Sequence, residues 1–295
     1  MDKVLVKQLI FHGSWLVFPV IVWLCWRLAR GRRRWFASVA LATCLLFAWA
    51  RFVEPQLIRV KETTLAGTGG QARIVLVSDV HLGVYKDPRF LGRVVERINA
   101  VQADAVVIAG DFTYEPQEDA LPRMFAPLAR LKMPVYAVLG NHDQQAPGPD
   151  IDHALREALA AHGVQVIEGR SIDLPRFRLA GLGDRWAHRD DAGFLRAAPA
   201  SLPTLVLTHN PDSAIQLDQT DARLVLAGHT HGGQIRIPWL YRHAIPSRYG
   251  FDRGEQWLQT PRGRVRVYTT VGLGEIGLPM RLFNPPTIDV LDLRP

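Results

Sequence analysis

Five short apolar runs, each ending in residues of the same chemical kind, constrain this chain more than any other feature. RIVLVSDV (73–80), DAVVIAGD (104–111), VYAVLGNHD (135–143), TLVLTHN (204–210) and RLVLAGHTH (223–231) begin as aliphatic, β-branched stretches and finish in Gly, Asp, Asn or His. A continuous apolar run of this length suits a strand buried on both faces. Helical patterns follow the early runs at 90–101, 121–131 and 151–162, the last opened by Asp150 or Asp152 as a cap. The later runs QVIEGRSIDL, QIRI, RVRVYTTVG and TIDVLDL have no long helices between them and predict antiparallel strands. Together these patterns predict an α/β domain with mixed sheets.

In open α/β sheets ligands gather beyond the carboxyl ends of the strands. Asp79 and His81, Asp111, Asn141 with His142 and Asp143, His209, and His229 with His231 all fall at that edge. Any one of these residues alone reads as a turn former or a satisfied polar group. Five independent strand ends converging on carboxylate, imidazole and amide groups read as a metal cage. Oxygen and nitrogen donors without thiolate suit Mn²⁺, Fe, Zn²⁺ or Co²⁺. Two such ions about 3.5–4 Å apart need an anionic bridge, which a carboxylate supplies. The glycines at 110, 140, 228, 232 and 233 permit tight turns around the cage. Alternation along an extended segment is expected to put Asp79 with His81, and His229 with His231, on one side.

The order DVH, GDF, GNHD, a lone His after a strand, and GHTH resembles the calcineurin-like metallophosphoesterase superfamily over roughly residues 73–290. The resemblance implies two mixed β-sheets packed as a sandwich and flanked by helices, the four-layer metallophosphoesterase fold. It also implies that Asp79, His81 and His231 hold one ion, that Asn141, His209 and His229 hold the other, and that Asp111 bridges them. His142 is similar to the family's catalytic histidine, which stabilises the transferring phosphoryl group or protonates the leaving oxygen. Asp143 either orients it or caps a turn. The implied reaction is in-line attack of a metal-bridging hydroxide on phosphorus.

Protein phosphatases of the superfamily continue the second block as Asp-Arg-Gly, whereas this chain reads GDFTYEP (110–116). The departure argues against a phosphoprotein substrate. GGQIRIP (232–238) and VGLGEIGLPMRLFNPPTIDVLDL (271–293) look like the bacterial membrane-associated branch, which includes phosphodiesterases and an enzyme cleaving UDP-diacylglucosamine. A non-catalytic metal-binding membrane scaffold is the rival of a different class, but it should lack part of the cage, and no cage residue is missing here.

The first 55 residues are of another kind. Apolar stretches at about 9–28 and 35–53 approach the roughly 20 residues that a membrane span needs. The second is short unless Arg51 snorkels to the interface. A hairpin anchor over 1–55, followed by a catalytic domain over 56–295, is the expectation. The alternative is an export signal, with Arg33-Arg34 as its twin arginine and Ala48-Trp49-Ala50 as its cleavage site. Arg27, Arg30, Arg32, Arg33 and Arg34 cluster between the stretches, and such loops stay cytoplasmic. The large domain is then expected on the periplasmic side of an inner membrane.

Charge gives nucleic acid no support. The net +7 resides wholly in residues 1–51, and the remaining acidic and basic side chains cancel. A protein gripping a phosphate backbone carries its basic excess in the folded domain. The substrate expectation is a lipid-linked or envelope phosphate ester, with a nuclease or nucleotide phosphodiesterase as the rival. Both cysteines, Cys25 and Cys44, lie in the apolar stretches, so no disulfide framework or cysteine-ligated zinc site is expected in the domain. Arg236, Arg242, Arg248 and Arg281 near the last motifs could bind substrate phosphate, with a solvated surface as the plainer expectation. Trp239, Leu240, Tyr241 and Trp257 could line an apolar pocket or touch the bilayer, with core packing as the plainer expectation.

Overall fold

A computed structural model describes residues 3–31, 34–144, 150–197 and 201–295. Arg32 and Arg33, and with them part of the arginine cluster, lie outside the described residues. Two six-stranded sheets face each other. The first runs Arg59–Leu65, Thr287–Leu293, Ala72–Val77, Ala105–Ala109, Val135–Val138, Val164–Val166. The second runs Gly254–Thr260, Gly263–Thr269, Leu224–Ala227, Thr204–Leu207, Arg178–Gly181, Arg170–Asp173.

Alternation explains why the central runs read as unbroken apolar sequence. Ile74, Leu76, Val107 and Val138 point between the sheets and meet Leu205, Leu207, Leu224 and Leu226. Val75, Val77, Val106 and Ile108 point the other way, onto the helices Pro88–Asn99 and Asp152–Ala161. Asp87 starts the first of these helices by accepting from the Phe90 amide at 3.0 Å. Ile151 occupies the cap position of the second, with no side-chain cap bond. The segment 121–131 is not one helix: Leu121–Phe125 gives way to a 3₁₀ stretch, Ala126–Arg130, at Pro127, which cannot donate to the turn before it.

The later runs are mixed in direction. Gly263–Thr269 lies antiparallel to Gly254–Thr260 but parallel to Leu224–Ala227. Thr287–Leu293 is antiparallel to Ala72–Val77 and parallel to Arg59–Leu65. QIRI forms no strand; Ile235 makes an isolated bridge to Leu282. Gly232 and Gly233, both at positive φ, turn the chain just before it.

Among the described residues, two helices are long and apolar enough to cross a membrane: Lys3–Ala29 and Arg34–Gln56. Only 6% and 17% of their apolar windows are buried, so neither is the core helix of a water-soluble fold. They lie against each other, with Val17–Ala29 packed on Arg34–Ala48 and Arg51 beside Phe11 and Ser14. Arg51 does not snorkel. It is buried, donating Nε to Ser14 Oγ at 3.0 Å and a terminal nitrogen to the Phe11 carbonyl at 3.3 Å, with its plane over the Phe11 ring. The end of the second helix is docked on the domain. The Arg281 amide donates to the Ala50 carbonyl at 2.9 Å, the Asn284 amide donates to Glu54, and Lys86 Nζ donates to the Pro55 carbonyl at 2.8 Å.

Candidate metal centre

The strand ends named above meet on one rim. The Asp79 amide donates to the Gly110 carbonyl (2.9 Å), the His81 amide to the Asp111 carbonyl (3.1 Å) and the Gly228 amide to the His209 carbonyl (3.0 Å). These backbone bonds lace neighbouring loops within each sheet, and the His229 amide, donating to Asp79 Oδ2 at 3.1 Å, joins the two sets.

Asp79, His81, Asp111, His229 and His231 are among the described non-glycine residues at positive φ, between 50° and 70°. Left-handed backbone at such residues is uncommon and costs on the order of 1–3 kcal/mol in the less tolerated cases. The expectation that extended alternation aligns each pair is therefore corrected. Successive left-handed turns, rather than a strand, bring Asp79 beside His81 and His229 beside His231. Glycine makes the close approach possible: a Cβ on Gly140 would stand 2.1 Å from Asp111 Oδ1.

Among the described residues, two groups of acidic and imidazole side chains each bring ligand atoms within 4.8 Å of one another: Asp79, His81 and His231, and Asp111, His209 and His229. All six are at most 4% exposed. In the first group His81 Nε2 lies 3.1 Å from His231 Nε2, and His231 Nε2 lies 3.3 Å from Asp79 Oδ1. In the second, His209 Nε2 lies 3.1 Å from His229 Nδ1 and 3.2 Å from Asp111 Oδ2. That same Asp111 oxygen is 3.5 Å from His81 Nε2, so it touches both groups. Asn141 lines the pocket alongside Asp111 and His229, and its Oδ1 is buried with no partner among the described residues.

The donor set fits divalent cations. His81 Nδ1 lies 3.1 Å from the Thr113 carbonyl and His209 Nδ1 lies 2.7 Å from the Ala109 carbonyl. Each Nδ1 therefore carries the proton, which turns the Nε2 lone pair inward, as outer carbonyls do for ligating histidines. Asp79 Oδ1 is also buried without a hydrogen-bond partner, and a buried oxygen left so is costly. Burial pushes Asp79 up to about 6 and pushes His81 and His229 down to about 3. Burial also opposes charge on Asp111 and His209, but their mutual attraction outweighs it, holding Asp111 well below and His209 well above the usual ranges. A divalent cation favours carboxylate and neutral imidazole at once, the forms in which this set has lone pairs to offer.

His142 stands at the edge of the cage. It is 9% exposed, its amide donates to Asp111 Oδ1 at 3.0 Å, and its ring lies 5.0 Å from that of His81. Burial lowers its pKa. The Asp143 carboxylate accepts the amides of Phe112, Thr113 and Gly140 and the Thr113 hydroxyl. Of the two roles expected for it, these bonds match capping: Asp143 ties the GDF loop to the GNHD loop rather than orienting His142.

Two further expectations are overturned. Arg281 is fully buried, not solvated, and donates to the carbonyls of Gly274, Val271 and Asn284, fixing the loop between them. Trp239, Leu240 and Trp257 are exposed, not core, and Tyr241 is half-buried beneath Arg236, whose guanidinium pairs with Asp252. Asp184, in the turn after Arg178–Gly181, is fully buried. It accepts from the Ala187 amide, and burial pushes its carboxyl up to about 6.

Several neighbours of the cage carry no signal in the sequence. Lys7, from the first membrane-length helix, pairs with Glu115 and sits 4.2 Å above the Tyr114 ring. Rings of Phe11, Tyr85, Tyr114 and His142 follow one another at 5.4 Å spacing, linking that helix to the cage. Trp186 meets His229 edge to face at 4.5 Å. Gly272, at φ +69°, leaves no room for a Cβ, which would lie 2.7 Å from Asp79 Cβ. The first three contacts join segments far apart in the chain, from Tyr114 and His142 to Lys7 and Glu115, and no local pattern encodes them. The VGLG motif does hint at the last.

Residues 72–233 match the profile of the calcineurin-like phosphoesterases. The chain is 31% identical to the metallophosphoesterase YkuE of Bacillus subtilis, over 84% of this chain and 90% of that one. It is 29% identical to the phosphodiesterase YaeI of Escherichia coli, over 89% and 98%. It is 27% identical to the UDP-2,3-diacylglucosamine pyrophosphatase LpxG of Chlamydia trachomatis, over 68% and 78%. With this match laid over a rim of buried carboxylates and imidazoles, the chain belongs to the calcineurin-like phosphoesterases, as a metal-dependent hydrolase of phosphoric esters in their bacterial branch.

Proposed function

We propose that the chain is a membrane-anchored, two-metal phosphodiesterase or pyrophosphatase whose substrate is a lipid-linked or envelope phosphate ester. The carrying observation is Asp111 Oδ2, within 3.5 Å of a histidine in each of the two buried groups. Asp79, His81 and His231 would hold one ion, Asn141, His209 and His229 the other, with Asp111 between them. When bound, such a pair activates water and offsets the charge that develops on the phosphoryl oxygens.

The chain's own residues supply the rest. His142, the most exposed of the site residues, faces the phosphoryl position and donates a proton to the leaving oxygen. Burial and the neighbouring His209 disfavour its protonated form while the Asp111 carboxylate favours it, so an arriving phosphate would add to the pull of Asp111. Asp143 keeps the loop of His142 fixed on the loop of Asp111. Behind His142 lies a pocket of about 300 Å³, whose far wall is Ile235, Ala244, Pro246, Ile276 and Leu278. An apolar wall facing a phosphate site supports an amphiphilic ester over a free nucleotide.

Residues 1–55 would be the anchor and 56–295 the catalytic domain, on the periplasmic side of an inner membrane. The described arginines between the helices, and the packing of the two helices that brings Arg51 beside Phe11 and Ser14, support that topology. A periplasm-only reporter fused at Pro295 should be active, and a silent but well-expressed fusion would reverse the orientation. The full chain in detergent, stripped of metal, should lose hydrolysis of bis-p-nitrophenyl phosphate and regain it on adding Mn²⁺. Undiminished turnover in the stripped protein would refute the two-metal reading.

A further inference from the structure

Trp239 is 86% exposed and Phe283 is 62% exposed. Each is a large aromatic on left-handed backbone, with φ of 66° and 56°. Strained backbone that holds an aromatic out into solvent is doubly unfavourable for a water-facing surface. Leu240, Leu278 and Ile237 are also exposed.

These side chains belong to one patch. The Arg236 amide donates to the Leu282 carbonyl at 2.9 Å and the Leu282 amide to the Gln234 carbonyl at 3.1 Å, which ties the segment of Ile237, Trp239 and Leu240 to that of Phe283. Gln234 Nε2 donates to the Leu278 carbonyl at 3.0 Å. The same 278–284 loop is docked on the end of the second membrane-length helix through Arg281 to Ala50 and Asn284 to Glu54. The patch therefore continues directly from the point where the anchor leaves the bilayer. Its fringe is cationic: Arg242 follows Leu240, and Arg59, Lys61 and Arg253 line a groove with Phe283. Aromatic side chains beside cations suit the headgroup level of a bilayer containing anionic lipid. The patch also borders the pocket, since Leu278 lines both.

We propose that this patch is a second membrane contact, on which the catalytic domain lies in the headgroup region, so that an amphiphilic phosphate ester reaches His142 sideways with its hydrocarbon still in the bilayer. The inference deepens the proposed function and rests on its anchored reading.

The test uses the full chain carrying Cys25→Ser and Cys44→Ser, reconstituted in vesicles of phosphatidylethanolamine and phosphatidylglycerol. A spin label is placed singly by Trp239→Cys, by Val39→Cys within the second membrane-length helix, and by Gln219→Cys at the far end of the strands, beside the turn between Thr260 and Gly263. Labels at 239 and 39 should collide preferentially with oxygen, and the label at 219 with a water-soluble nickel chelate. A label at 239 that behaves like the one at 219, while 39 reads lipid, overturns the second contact and leaves the anchor intact. Water at 39 overturns both. Trp239→Glu combined with Leu240→Glu should lower turnover of a lipid-linked pyrophosphate in vesicles about tenfold, with bis-p-nitrophenyl phosphate unaffected. Equal loss on both substrates would overturn the sideways route.

Discussion

On one side of the pocket stand Asp111, Asn141, His142, His229 and His231, none more than 9% exposed and all seated on loops laced to strand ends. On the other stand Ile235, Ile276 and Leu278, carried by segments outside the two sheets, with Leu278 47% exposed. The first wall is over-determined: each ligand has a backbone bond, an outer carbonyl or a neighbouring glycine that leaves it one place to be. The second is held by the Gln234 side chain, which bonds Ile276 and the Leu278 carbonyl, and by the dock of the following loop on the second membrane-length helix. Chemistry needs its groups fixed to fractions of an ångström, whereas recognition of hydrocarbon needs only apolar area. The two walls should therefore answer to substitution differently.

The largest effect is expected at the atom that touches both ligand groups. Asp111→Asn should abolish turnover of every phosphate ester while the domain stays folded, as read by circular dichroism and by metal analysis showing fewer bound ions. His142→Ala should keep its ions and lose roughly 10²–10⁴ in kcat; full metal content with normal kcat would remove His142 from the chemistry. Gly140→Ala tests the packing of the polar wall, since its new methyl must displace the Asp111 carboxylate. Metal affinity or activity should fall about 10–100-fold. Across the pocket, Ile235→Ser with Leu278→Ser should raise KM for a lipid-linked pyrophosphate about tenfold and leave bis-p-nitrophenyl phosphate alone. If both substrates suffer equally, the walls are not separable. The smallest effect belongs to Lys7→Ala, which breaks a partly buried ion pair and should cost no more than about fivefold in kcat/KM.

The polar wall was legible in the sequence because its residues lie within a few positions of strand ends, where local pattern and position in space coincide. Asp79, His81, Asp111, His209, His229 and His231 converge in two groups, where the resemblance implies Asn141 with His209 and His229 and Asp111 between the groups. What local pattern could not supply is the backbone state. Asp79-Val80-His81 reads as the tail of a strand, yet two of its three residues are left-handed, a conformation imposed by bonds to the next loop. The apolar wall was hidden for the opposite reason. Trp239 and Leu240 resemble core residues by composition, and only their neighbours in space reveal that nothing covers them. Arg281 misleads in the mirror sense: a charged residue expected in water, buried because three carbonyls of one loop need its donors.

The contact of Lys7 with Glu115 has a mechanical consequence. The helix Lys3–Ala29 is 27 residues long, about 40 Å at 1.5 Å per residue, against a hydrocarbon thickness of roughly 30 Å. The excess lies at the Lys7 end, because the apolar stretch at about 9–28 alone matches the hydrocarbon and Lys7 stands before it, against the catalytic domain. Lys7 rides on that lever and grips the loop four residues beyond Asp111. A shift of that helix would be felt at the loop that follows Asp111, through the ion pair of Lys7 with Glu115.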